Sequence, residues 1–170
     1  FKTVAKTMGG LDLTDEDAEA VTTDWRKQYA EIPRGWRTCH ARLPDIHDGK
    51  QVYIDPWNLC ATEKAGIRLP SNRLIRYPGL HQETDDQGKT EWWYGTGRHR
   101  ARIYAGKIDE NIVQALARDI IADNALDVFR LTRHRPALMV HDELVYVVPE
   151  KAAQPLLDTV QKVMRTPPKW

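Results

Sequence analysis

Cysteine is scarce in this chain. Cys39 and Cys60 are the only two in 170 residues, and they do not share a CxxC spacing, so no disulfide framework is expected. His40 and His47 lie near Cys39, but the spacing fits no common finger pattern, and zinc is set aside. Two lone thiols are the usage of a reducing compartment, so a cytoplasmic setting is expected. No apolar run approaches the roughly 20 residues of a membrane span. No leader pattern stands at the start, and no membrane partner is expected. Net charge is nearly absent as well, at +1, so overall charge does not single out a polyanion or a membrane surface. No internal repeat is present. The sequence starts at Phe1 and stops at Pro167-Pro168-Lys169-Trp170, which reads as a segment of something longer.

What is present is the makings of a core. Hydrophobic residues are 41% of the chain, enough for one domain of ordinary size. Residues 1–8 read as the end of a helix, with Gly9-Gly10 as the stop. Thr14 then reads as an N-cap, paired with Asp17 in a variant of the capping box. Ala18, Val21, Trp25 and Tyr29 follow on one helical stripe. Pro33 is expected to end that helix, and a second to run from Arg34 past Trp36, Cys39 and Leu43. Residues 50–64 suggest no element.

The middle of the chain changes character. Residues 67–78 read as strand, turn and strand. Residues 79–90 are polar and hold Asp85-Asp86-Gln87-Gly88, a loop signature. Residues 91–104 resume as β structure with Trp92-Trp93-Tyr94, then Arg98, Arg100 and Arg102 in alternation, which would place three guanidiniums on one face. Between residues 65 and 107 eight lysines and arginines face four acidic residues. That local excess suits either a phosphate-tracking face or a solvated sheet surface. By contrast, residues 11–24 are acidic.

Residues 107–133 carry the longest helical signal. Ile108, Ile112, Leu116 and Ile120 recur at i+4, and the helix is apolar nearly all round, which argues burial. Glu110, Gln114 and Arg118 interrupt it as one polar stripe, with Asn111 alongside. Such a stripe needs partners, either in a neighbouring sheet or in a polar ligand. Arg130, Arg133 and Arg135 suit the negative end of the helix dipole. Residues 150–165 form a closing amphipathic helix with Ala153, Leu156, Leu157, Val160 and Val163.

Between those helices lies His141-Asp142-Glu143. Pro136-Ala-Leu-Met-Val140 precedes it and Leu144-Val-Tyr-Val-Val148 follows, two short strands bounded by prolines. A tight acidic junction between strands is either a wet hairpin tip or a set of hard oxygen ligands for a divalent cation engaged on phosphate. Asp142 and Glu143 can both serve one ion only if the turn is tight, because neighbouring strand residues point to opposite faces.

The order of these motifs resembles the palm of family-A DNA polymerases of the bacteriophage-type branch. His141-Asp142-Glu143 resembles that family's motif C. Glu110-Asn111-Ile-Val-Gln114-Ala-Leu-Ala-Arg118-Asp119 resembles the palm helix before it, and Leu69-Pro70-Ser71-Asn72-Arg73 the start of an inserted hairpin. Residues 1–43 are similar to the helices just after motif B. The resemblance implies an α+β fold: an antiparallel palm sheet packed on helices, an inserted basic β-hairpin and an N-terminal helical segment. Residues 1–64 would be the helical segment following the fingers, and 65–170 the palm with the motif C hairpin.

The same resemblance implies a DNA-directed DNA polymerase, adding deoxynucleotides to a primer 3′-end by a two-metal mechanism. Phosphoryl transfer needs positioning and charge neutralisation more than covalent help. Asp142 and Glu143 would be the catalytic and metal-binding residues, Asp142 directly and Glu143 as the weaker contributor. Mg2+ would be the ion, two per site, with Mn2+ as a substitute. His141 would support the primer terminus and Gln114 would donate to minor-groove acceptors, which are similar for A·T and T·A. Glu110, Asn111 and Arg118 complete the DNA-facing stripe, with Arg118 the member most suited to a structural role. Arg73, Arg98, Arg100 and Arg102 would track phosphates. Partners would be primer–template DNA, deoxynucleoside triphosphates and a processivity factor. The strand of motif A and the helix of motif B are absent from these residues, so the segment alone is expected to be inactive. Two other readings compete: a non-catalytic module that grips duplex DNA, and a metal-dependent nuclease using Asp142, Glu143 and a histidine.

Overall fold

A computed structural model describes all residues, Phe1–Trp170. Four helices come first: α1 (Lys2–Gly9), α2 (Asp15–Gln28), α3 (Glu31–Ala41) and α4 (Leu43–Asp48). Six short strands follow: β1 (Ala61–Glu63), β2 (Gly66–Arg68), β3 (Leu74–Arg76), β4 (His81–Thr84), β5 (Thr90–Tyr94) and β6 (Ala101–Ile103). The long α5 (Ala105–Thr132) leads to β7 (Leu138–Val140), β8 (Glu143–Val145) and α6 (Glu150–Met164). The class is α+β, as expected, and every strand pairing is antiparallel.

The strands do not form one sheet. They make two three-stranded meanders, β1-β2-β3 and β4-β5-β6, and a separate β7-β8 hairpin. The single inserted hairpin expected from sequence is therefore two meanders. One strand of the second, β4, lies inside the stretch read as loop; Asp85 to Gly88 make only its turn. Gly66 fits where β2 passes β3, since a Cβ there would lie 2.5 Å from the Ile75 carbonyl oxygen.

Local chemistry explains the helix ends. Gly10 closes α1 in the left-handed region at φ 65°. The Thr14 hydroxyl oxygen accepts from the Asp17 backbone N–H at 3.1 Å, so the expected cap forms. Pro33 does not end a helix. It sits third in α3, where its missing N–H would have had no helical partner, and α2 has already ended at Gln28. The expected stripe on α2 is buried only at Ala18; Val21, Trp25 and Tyr29 stay exposed, and Trp25 stacks on Trp36 of α3.

One core joins both parts of the chain. Cys39, Leu43 and Ile46 from α3 and α4 pack with Ile67, Tyr77 and Trp92 from the meanders and with Ile108 and Ile112 of α5. The expected change of character at residue 65 thus falls inside the β1–β2 hairpin, with shared packing on both sides. Ile67 and Ile108 are completely buried, and truncating such a residue to alanine costs about 2–5 kcal/mol. A second, smaller cluster of Val128, Leu156 and Val160 fixes α6 on the far half of α5. Tyr146 and Val148 pack against it, which seats the chain just beyond β8.

Candidate active site

The β7–β8 register pairs Val140 with Glu143, so only His141 and Asp142 form the turn. His141 has φ 50°, a left-handed conformation that a two-residue hairpin turn calls for. A two-residue turn is the shortest of the common hairpin connections. His141, Asp142 and Glu143 are all exposed. None of the three makes a side-chain hydrogen bond or ion pair, although fifteen ion pairs form elsewhere in the molecule. Glu143 opposes Val140 across the ladder, next to the pair Leu138 and Val145, and this face of the hairpin is open to solvent. The opposite pair, Met139 and Leu144, is half-buried. No group of three or more acidic, histidine or cysteine side chains gathers into a metal cage. The hairpin thus offers two hard oxygen donors without competing cations, which suits a divalent ion but supplies only part of its shell.

The polar stripe of α5 divides by depth. Glu110, Gln114 and Arg118 are exposed, i to i+4, on one face. Glu110 accepts from Lys107 at 3.1 Å. Asn111 turns inward and donates to the Tyr77 hydroxyl at 3.1 Å. Burial pushes that phenol up to about 12. Behind the stripe, Asp119 is only 3% exposed and accepts from both Ser71 and Arg73. The Leu69–Arg73 turn is thereby clamped onto α5. The clamp leaves a shallow pocket of about 350 Å³, bordered by Arg73, Arg76, Tyr94 and Gln114. A larger cavity of about 580 Å³ lies between the end of α5 and the C-terminal tail and contains none of the expected site residues.

The basic face does not form as expected. Gly95 at φ 83° turns the chain so tightly that a Cβ there would collide with the His99 carbonyl, and Gly97–His99 is a 3₁₀ turn. Arg98, Arg100 and Arg102 therefore do not alternate along one strand. Arg100 pairs with Glu83 and lies 4.1 Å from the Trp93 ring. Arg102 pairs with Glu91 at 3.0 Å and faces Tyr104. Arg98 alone of the three has no acidic partner. His81 holds Glu83 below the usual carboxylate range, and the Gly79 carbonyl and Glu83 together raise His81.

The structure thus brings Arg73, Asn111 and Gln114 together, keeps Glu110 and Arg118 on the same helix, and sets Arg98, Arg100 and Arg102 on the second meander. Sequence reasoning missed Asp119, Arg76 and Tyr94 as parts of the pocket. Asp119 carried a usable signal, since it is seven residues after Ile112 on the buried stripe, where an unpaired acid would be costly.

Comparison with known proteins adds one finding. The DNA polymerase of Bacillus phage SP02 is 30% identical over 177 aligned residues, covering 96% of this chain and 26% of that polymerase. The chain is related to a phage DNA polymerase. It spans about a quarter of that relative's length. No family model matches, and no solved structure matches. No helix is long and apolar enough to cross a membrane.

Proposed function

We propose that this chain is the C-terminal palm portion of a phage-type family-A DNA polymerase, acting on primer–template DNA and deoxynucleoside triphosphates. The single observation that carries this reading is the two-residue His141–Asp142 turn, which holds two exposed carboxylates with no partner of their own. The likeness to a phage polymerase along nearly the whole chain supports it. Asp142 and Glu143 would hold Mg2+, which when bound supplies charge neutralisation at the reacting phosphate. Asp142 at the turn is the principal ligand and Glu143, first in β8, the supporting one. His141 orients the primer terminus, and Gln114 donates to the minor groove. Two carboxylates do not complete a two-metal site, so the 170 residues alone are not expected to extend a primer.

The test is Asp142→Ala in a polymerase that contains this segment. Extension should be lost while the affinity for primer–template stays within about threefold, because positioning contacts lie elsewhere. Extension at the unsubstituted rate would remove Asp142 from the chemistry. The nuclease reading makes a different forecast: release of nucleotides from DNA without added triphosphates. A pure binding module would show no dependence on the divalent ion at all.

A further inference from the structure

The pocket between the Leu69–Arg73 turn and α5 holds more donors than its own packing uses. Arg73 gives one guanidinium nitrogen to Asp119 and remains 59% exposed. Arg76 is exposed and forms no ion pair, and Gln114 is exposed and forms no hydrogen bond. No carboxylate borders the pocket. Its floor is apolar, with Leu74 and Ala115 among the contacts, and the Tyr94 ring stands edge-on to Tyr77 at 5.2 Å. Two guanidiniums match phosphate oxygens in a fork geometry. A carboxamide can donate to a base-edge acceptor. An apolar floor takes a sugar. About 350 Å³ is at the small end of ligand pockets, the scale of one nucleotide.

Asp119 faces none of these groups' free sides. It is buried behind the pocket and receives Ser71 and Arg73, residues that precede it by 48 and 46 positions. Without that carboxylate nothing fixes where the Arg73 guanidinium stands.

We propose that this pocket grips one nucleotide of a DNA strand, with Arg73 and Arg76 on its phosphates and Gln114 on the base edge, and that Asp119 is the positioning residue that sets Arg73. The identity of the strand rests on the polymerase reading; the pocket, Arg76 and the role of Asp119 extend it.

The test titrates a polymerase that contains this segment into a labelled primer–template duplex, followed by fluorescence anisotropy between 50 and 200 mM NaCl. Arg76→Ala should weaken binding on the order of tenfold and flatten the log affinity–log salt slope by about one, the signature of one lost phosphate contact. Asp119→Asn keeps the size and one acceptor oxygen but removes the charge that holds Arg73. Its slope should also flatten by about one. Lys151→Ala, on the exposed face of α6, should change neither quantity. Should Asp119→Asn fail to fold, Arg73→Ala reads the same contact from an exposed side chain, and the same flattening is expected.

Unchanged slopes in Arg76→Ala and Arg73→Ala would overturn the pocket. A lower melting temperature for Asp119→Asn with an unchanged slope would make Asp119 a packing residue only and overturn its positioning role. Loss of extension in Asp142→Ala alongside unchanged slopes would sink the pocket and leave the polymerase reading standing; the converse pattern would do the opposite.

Discussion

Asp119 and Asp142 are the same functional group in opposite circumstances. Asp119 is 3% exposed and saturated by Ser71 and Arg73. Asp142 stands exposed in a two-residue turn and has no partner. A buried carboxylate persists only when its oxygens are satisfied, so its surroundings explain it completely. An exposed carboxylate needs no partner to be tolerated. What marks Asp142 is the company of Glu143 one residue on and a tight turn that fixes where both side chains leave the backbone. One acid builds the molecule, and the other is available to something outside it.

Substitutions can break this contrast, and the largest effect is expected at Asp142. On the proposed role of Asp142 in holding the ion, its removal forfeits several kcal/mol of charge stabilisation, so Asp142→Ala in a polymerase that contains this segment should slow primer extension by roughly a thousandfold or more. Its unfolding free energy should move by less than about 0.5 kcal/mol, as for other exposed positions. Denaturant titration and extension assays on one preparation would read both. A large loss of stability would make Asp142 resemble Asp119 and collapse the distinction.

The reverse pattern is expected at Asp119. Asp119→Ala leaves a guanidinium and a hydroxyl without their acceptor and should lower stability by about 3 kcal/mol in urea unfolding. A change under 0.5 kcal/mol would mean that the clamp is idle. Glu143→Gln is the finer probe, since it keeps an oxygen donor but loses the charge. About a tenfold slowing of extension is expected, between wild type and Asp142→Ala. Equal losses at both positions would show that the two carboxylates act as one unit.

The smallest effect concerns the two thiols. Burial raises Cys39 to about 12 and Cys60 to about 11, both from an ordinary 9.0. Asp109, which lies 3.8 Å from the Cys39 sulfur, adds to the first of these. Unfolded thiols would shed their protons first. Stability should therefore be flat with respect to these groups below about pH 9 and decline as pH rises toward 11 and 12. At pH 8 iodoacetamide should modify neither cysteine in the folded chain. Rapid labelling of either would show that the core around Cys39 opens more readily than its packing implies.

Local signals in the sequence were dependable where one residue type settles one backbone problem. Gly10 ends α1, Thr14 caps α2, and the proline-bounded runs on either side of His141 become β7 and β8. The long i+4 pattern of α5 was equally legible because its apolar side is buried. The failures arose where tertiary partners decide. Alternation of Arg98, Arg100 and Arg102 looks like a strand, but Gly95 and Gly97 at positive φ fold it into a turn. Charge counting found the excess of basic residues around them, yet could not show that Glu83 and Glu91 neutralise Arg100 and Arg102 across the meander. In the site, the acidic turn was visible as three adjacent letters. The pocket was not, because Arg73 and Gln114 are 41 positions apart and become neighbours only through tertiary contacts, the Asp119 clamp and the Asn111–Tyr77 hydrogen bond among them.

The Asp119 clamp has a kinetic side as well. The β1-β2-β3 and β4-β5-β6 meanders pair neighbours in sequence, so they can form early with little loop closure. Joining Ser71 to Asp119 instead requires the chain to close over 48 positions, across the whole second meander. That contact should be absent from the folding transition state and appear only as α5 docks. Weakening it should then leave refolding nearly as fast as before and shorten the lifetime of the native state. The clamp would act less as a nucleus than as a latch, holding shut a structure that other contacts have already assembled.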